Sequence, residues 1–207
     1  MMKKLALLLS IALTVVLVPT SYGLVIGNFE GSLDNWLPND ATISQNTIGA
    51  TVGSGSMKIA GPGGWHIDCR LDLRPSLLGV LGSTTQISAD VTAFSADMPG
   101  ANWMNMEMIY NGQNSGTNNN IGWQSLGAKD INIWDGQTHT LVWDVPAALM
   151  TKLGGVDSSI QWMELMIITN NGGQNTQLYT DNVKMIPEPA TMGLLGMGGL
   201  ALLRRRK

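Results

Sequence analysis

The chain has 207 residues, 44% of them hydrophobic, with 12 Lys and Arg against 15 Asp and Glu, a formal charge of −3. Six of the basic residues sit at the two chain ends, so residues 24–186 keep six basic and fourteen acidic side chains, a formal charge near −8. Phosphate contacts need clustered Lys and Arg, so nucleic-acid binding is excluded, and the length left between the ends fits one domain.

At the N-terminus Lys3 and Lys4 precede an apolar run from Leu5 to Val18, followed by Pro19 and the small-residue triplet Ser21-Tyr22-Gly23. This is the charged, apolar and small-x-small pattern of a secretory signal peptide, with cleavage by signal peptidase after Gly23. The run falls short of the roughly 20 residues of a permanent membrane span. Export implies an oxidising compartment, but Cys69 is the only cysteine and can form no intramolecular disulfide. Its strand position makes it a small core residue, and no cysteine stands at the cleavage site to carry lipid.

The domain that follows reads as strands. Trp65, Ile67, Cys69, Leu71 and Leu73 alternate with His66, Asp68, Arg70 and Asp72, and Ile87, Ala89, Val91 and Ala93 alternate with Gln86, Ser88, Asp90 and Thr92. Met104, Met106, Met108 and Tyr110 form an apolar face opposed by Trp103, Asn105, Glu107 and Ile109. His139, Leu141, Trp143 and Val145 share a face, as do Met163, Leu165 and Ile167, and a last strand runs from about Gln177 to Ile186. Turns fall at Gly61-Pro62-Gly63-Gly64, Asp135-Gly136 and Asn170-Asn171-Gly172-Gly173, and Asn111 to Asn120 reads as a surface loop. Short helices are expected at Pro75–Leu81 and Pro146–Leu153, each opened by a proline suited to the first turn. With no fixed-period repeat and no internal boundary, residues 24–186 are predicted to be an all-β antiparallel β-sandwich of the jelly-roll kind.

At the C-terminus Pro187-Glu188-Pro189 is followed by the apolar stretch Ala190–Leu203 and then by Arg204, Arg205, Arg206 and Lys207. Two prolines leave the triplet extended and accessible. The apolar stretch predicts a short membrane helix over 190–203, with Gly193, Gly196, Gly198 and Gly199 open to a partner helix and the basic tail 204–207 on the cytoplasmic side. The three parts in this order resemble the PEP-CTERM sorting signal of Gram-negative bacteria. The resemblance implies recognition of 187–207 by an exosortase, transient inner-membrane anchoring, release of the tail, and delivery to the outer surface or extracellular matrix. An ordinary tail anchor shares the hydropathy but has no need of the Pro-Glu-Pro triplet.

Sugar rings stack apolar C–H faces on aromatic side chains and present hydroxyls to Asn, Gln, Asp and Glu. All seven tryptophans lie in the domain. Trp103, Asn105 and Glu107 share the non-methionine face of their strand, Trp123 and Gln124 follow the Asn-rich loop, and Trp162 pairs with Glu164 on another strand. These seven are the candidate glycan-binding residues, whereas Trp36, Trp65 and Trp143 are expected in the core.

A second resemblance rests on three segments: Asn28-Phe29-Glu30-Gly31 with Trp36, the run Asp135-Gly136-Gln137-Thr138-His139-Thr140-Leu141-Val142-Trp143-Asp144, and Tyr179-Thr180-Asp181-Asn182-Val183. They are similar to the first, a middle and the last strand of galactose-binding-like jelly rolls, which include many carbohydrate-binding modules. By position the resemblance implies a structural calcium held by Glu30 and Asp181, although two carboxylates alone cannot complete its six to eight oxygen ligands.

Catalysis finds little footing. No Gly-x-Ser-x-Gly elbow or His-Glu-x-x-His helix occurs, and Glu107 with Glu164 is the one pair that a glycosidase reading would use. A non-catalytic polysaccharide-binding domain is therefore the leading expectation. A structural matrix spacer and a polysaccharide-degrading enzyme are the alternatives.

Overall fold

Alternating apolar residues give a strand one continuous greasy face, and two sheets of such strands bury those faces against each other. The computed structural model describes residues 23–188 except 117 and 132. Its strands are β1 (Leu24–Gly27), β2 (Trp36–Pro38), β3 (Thr42–Asn46), β4 (Ser56–Gly61), β5 (Gly64–Asp72), β6 (Thr84–Phe94), β7 (Met104–Asn114), β8 (Asn120–Asp130), β9 (Asp135–Asp144), β10 (Met163–Asn171) and β11 (Thr176–Pro187), with helices α1 (Leu78–Leu81) and α2 (Ala147–Gly154). One sheet runs β3-β4-β11-β6-β9, with β1 paired to the later part of β11, and the other runs β2-β5-β10-β7-β8. The pairings β1–β11, β3–β4, β4–β11 and β6–β9 are antiparallel, as are β2–β5, β5–β10, β10–β7 and β7–β8. The antiparallel β-sandwich expected from the alternation is the fold.

The core between the sheets is built from the inward positions of these strands, among them Cys69, Leu71, Val91, Met106, Met108, Leu165, Ile167 and Val183. Trp36 and Trp143 are 1% and 0% exposed. Their indole N–H groups donate to the carbonyls of Ile26 at 3.2 Å and Gly127 at 2.9 Å. Removing either ring would cost about 3–5 kcal/mol through the cavity left behind. Cys69 is fully buried, and burial drives its thiol pKa upward, which keeps it an unreactive packing group.

Four local expectations are corrected. Trp65 is 71% exposed rather than in the core. Gly63 (φ +88), Gly64 (φ +108) and His66 (φ +61) leave extended geometry, so the alternation restarts at Ile67 and Trp65 is turned outward. The first strand precedes Asn28-Phe29-Glu30-Gly31 instead of containing it. Asp34 Oδ2 accepts the N–H groups of Asn28 and Phe29 at 2.8 and 2.7 Å, folding a turn that drops Phe29 (φ +53) into the core. The Asn111–Asn120 loop is shorter than expected, because Asn111, Gly112 and Asn114 pair with Trp123, Gly122 and Asn120 in the β7–β8 hairpin. Strands wetted on one face need no apolar partner there. Helix α1 is shorter than expected, beginning at Leu78, and α2 keeps its expected length but is shifted by one residue, so that Pro146 (φ −59) caps it instead of occupying its first turn.

Among the described residues no helix is long and apolar enough to cross a membrane. The predicted signal peptide up to Tyr22, the membrane helix 190–203 and the basic tail 204–207 lie outside those residues.

Candidate functional site

Register decides which outward side chains become neighbours on the five-stranded sheet. One row across β5, β10, β7 and β8 is Asp72, Glu164, Asn111 and Trp123, and the next is Arg70, Met166, Ile109 and Ser125. A third row is Asp68, Ile168, Glu107 and Ala128, and the last sets Asn170 beside Asn105 and Asp130. Ile109, Met166 and Ile168 form an apolar cluster of their own at the centre of this outer face. The face is thus an apolar floor ringed by amides, carboxylates, a guanidinium and an indole.

The polar ring is internally fixed. Arg70 Nη1 lies 3.1 Å from Glu164 Oε1, Asn39 Nδ2 donates to Asp68 at 3.2 Å, and Asn170 Nδ2 donates to Asn105 Oδ1 at 3.0 Å. The Ser125 hydroxyl donates to Glu107. Burial raises the Glu164 carboxyl above its ordinary value, with Arg70 opposing, and burial likewise raises Asp68 against its Asn39 bond. The Arg74 guanidinium holds Asp72 below the usual range. Side chains held in this way present their free lone pairs and protons in set directions, which lowers the entropy cost of binding.

Two ring pairs frame the face. His66 of β5 and Trp123 of β8 stack with centroids 6.0 Å apart and planes at 26°. In a flat sheet those strands would stand about 14 Å apart, three spacings. The two residues are also offset by six positions along β5, since Asp72 and not His66 lies in the Trp123 row, so the sheet twists and curves to bring the two rings together. At the foot of the face Trp65 packs on Trp103 with centroids 5.3 Å apart and a tilt of 43°.

Of the seven residues singled out from the sequence, Asn105, Glu107, Trp123 and Glu164 share this face. Trp103 stands at its foot, and Trp162, 38% exposed, precedes Glu164 at the opposite end. Gln124 does not join them. It lies opposite Tyr110, a core residue, and its amide donates to the Ile121 carbonyl at 2.7 Å. Sequence reasoning missed Asp68, Arg70, Asp72, Asn111 and Asn170 as members of one surface. The polar phase of β5 was visible, but its neighbours across the sheet were not. Glu107 and Glu164 are not brought together as a glycosidase pair. Their strand positions differ by four residues along β10, about 13 Å, whereas catalytic carboxyls stand roughly 5–9.5 Å apart. Ser125 draws one toward β8 and Arg70 draws the other toward β5.

Glu30 and Asp181 converge on one loop. Asp181, fully buried, accepts from the Thr51 and Val52 amides at 2.6 and 2.9 Å through Oδ2 and from the Asn182 amide at 2.6 Å through Oδ1. Glu30 Oε1 accepts from the Ser54 and Gly55 amides, each at 2.6 Å, and these bonds, Gly55 foremost, hold its carboxyl below the ordinary value. N–H groups aimed at the carboxylates repel a cation, and no cluster of three acidic, His or Cys side chains occurs among the described residues. This arrangement does not fit calcium. It is a double carboxylate clamp on Thr51–Gly55.

The fold is that of carbohydrate-binding β-sandwiches. The chain is similar to a structure described as carbohydrate-binding modules from the beta-sandwich super family (TM-score 0.53, 15% identity, 80% of this chain and 62% of that one). It is similar to the C-terminal family 22 carbohydrate-binding module of Clostridium thermocellum Xyn10B (TM-score 0.54, 14% identity, 82% and 96%). It is also similar to the CBM22-2 xylan-binding domain of Paenibacillus barcinonensis Xyn10C (TM-score 0.53, 16% identity, 78% and 98%). The chain spans less than two thirds of the first of these and nearly all of the other two, and identities this low establish the fold alone. No curated protein sequence matches the chain. Residues 186–207 match the PEP-CTERM protein-sorting motif. The chain therefore carries the sorting motif that its C-terminal triplet, apolar stretch and basic tail resemble, and the motif implies an exported, surface-sorted protein processed by an exosortase.

Proposed function

We propose that residues 24–186, freed by signal peptidase and exosortase, are a non-catalytic glycan-binding domain acting at the cell surface or in exopolysaccharide. One observation carries this reading: over a buried apolar cluster, the outer face of the five-stranded sheet sets the exposed Trp123 beside Asn111 and beside the hydrogen-bonded Asn105, Glu107, Glu164 and Asn170. A pyranose ring lays its C–H face on the indole, and its hydroxyls meet the amides and carboxylates. The solved structures of similar fold are described as carbohydrate-binding modules, one of them xylan-binding. Asp68, Asp72, Glu107, Asp130 and Glu164 outnumber Arg70 on the face, so a neutral chain is favoured and a polyuronate is repelled.

Affinity electrophoresis tests the reading. The processed protein should be retarded in gels containing neutral xylan or β-glucan and not in gels containing polyuronate. Trp123→Ala and Glu107→Ala should each restore free migration. Free migration of the unmutated protein in every neutral polysaccharide would sink the proposal and leave a structural matrix spacer. The export reading has its own check: replacing Pro187-Glu188-Pro189 by alanines should leave an unprocessed, membrane-retained chain, and normal release would refute it.

A further inference from the structure

Trp65 is the most exposed large apolar side chain among the described residues, at 71%. Its exposure is built in. Three loops lock together beneath it: the Asn175 amide donates to the Pro62 carbonyl at 3.2 Å, Gln174 to Pro99 at 3.1 Å, and Gly172 to Trp103 at 3.3 Å. Gly63 approaches so closely that a Cβ there would lie 1.9 Å from the Gly173 carbonyl oxygen, and one at Gly172 would lie 2.7 Å from Trp103 Nε1. The next residue, His66, holds a left-handed backbone (φ +61) that a side-chain-bearing residue adopts at a cost of about 1–2 kcal/mol. Its amide is fixed by Asn170 Oδ1 at 2.8 Å. A backbone held in this costly conformation to present an indole to water points to a ligand for that indole.

The surroundings define the ligand. The shelf made by Trp65 and Trp103 is continuous with the proposed glycan face: Trp103 stands two residues before Asn105, and Trp65 precedes the His66 ring that stacks on Trp123. Beyond the shelf lies an open cleft of about 410 Å³ lined by Pro99, Gly100, Gly172, Gly173, Gln174 and Asn175. Two rings bordered by amides and backbone are far too small an apolar area for a stable protein interface, which buries roughly 1,200 Å² or more. They match a sugar ring, which needs one aromatic surface and a few hydrogen-bonding groups beside it.

We propose that Trp65 and Trp103 form an outlying sugar platform that extends the sheet-face site past its lower end, so that the ligand is the interior of a polysaccharide chain and not a chain terminus. The proposal rests on the glycan-binding reading of the face. Titration calorimetry of the processed protein with xylan-derived oligosaccharides of increasing length, and with soluble xylan, separates the two. The unmutated protein should gain affinity with length. Trp65→Ala should bind the shortest ligands unchanged yet lose about tenfold or more on long chains, the effect of one anchoring aromatic, and Trp65→Tyr should recover part of it. Long-chain affinity that Trp65→Ala leaves intact overturns the platform alone. Absence of binding by the unmutated protein to any of these ligands overturns the platform together with its parent reading.

Discussion

Replacing Asp181 by alanine tests the carboxylate clamp. The substitution leaves the Thr51, Val52 and Asn182 amides without their acceptor. The Thr51 hydroxyl is less affected, since Asp90 Oδ2 lies 2.7 Å away against 3.0 Å to Asp181. A hydrogen bond to a charged acceptor contributes about 1.5–3 kcal/mol. Thr51 and Val52 are exposed and can rehydrate, so the lower end applies and the total is about 3–5 kcal/mol. With a urea m-value of about 2 kcal/mol/M, the unfolding midpoint should drop by about 2 M. Asp181→Asn, which keeps one acceptor oxygen, should fall between. Equilibrium unfolding followed by tryptophan fluorescence reads these shifts. A drop below about 0.5 M for the alanine variant would mean that the clamp does not hold the loop. Because the clamp is closed by N–H donors, millimolar calcium or a chelator should leave the unmutated midpoint unmoved. A calcium-dependent rise that disappears in Asp181→Ala would refute the clamp and restore the cation.

Acid should destabilise the domain. A carboxylate whose folded pKa is depressed contributes stability above its unfolded value and loses it as pH falls through the folded one. Glu30, Asp72 and Asp135 are of this kind, and at Asp90 the bonds from Thr140, Thr51 and Asn182 together with the Lys184 charge overcome the upward push of burial. Asp157, held by Ser159 and Asn119, is drawn down to about 2. Asp68 and Glu164 are raised by burial and act in the opposite sense, favouring folding as they protonate. The depressed group is larger, so the melting temperature should hold near neutrality and fall between about pH 4 and pH 2. A flat melting profile over that interval would contradict the assignment. Gly63→Ala should cost about 2 kcal/mol or more by driving a Cβ into the Gly173 carbonyl, whereas Gly64→Ala, with nothing within 4 Å, should cost only its backbone strain, about 1 kcal/mol. Equal denaturation midpoints for the two variants would show that the loops are not locked.

The strands legible in the sequence were those whose two faces meet different surroundings. In β5, β6, β7, β9 and β10 one side faces the core and the other faces outward, so alternation exposed them. Strands β2 and β3 are only three and five residues long, and β8 opens on the Asn-rich segment read as a loop, so they left little pattern, whereas β9, also at a sheet edge, runs for ten residues and showed its alternation. The polar phase of β5 was visible, yet Asp72, Glu164, Asn111 and Trp123 form one row only through pairings between distant segments. Alternation assigns a face and cannot assign a neighbour. Gln124 was misplaced because β8 was not seen as a strand, in which successive side chains point to opposite sides. Trp65 obeyed the alternation on paper, and three left-handed residues in the turn before and after it reversed its direction.

Strand β11 lies between β6 on one side and β4 with β1 on the other, and it runs directly into Pro187. A surface protein attached at that end while holding a polymer elsewhere would carry tension through β11. A pull along the strand loads the rungs of both flanking ladders together in shear, instead of peeling them one at a time from an edge. Rupture would then demand the cooperative loss of many hydrogen bonds, and the domain would yield slowly to drag. Such resistance is governed by the unfolding rate and not by equilibrium stability. Its location in β11 would make the junction with the sorting motif the mechanically strong end of the domain.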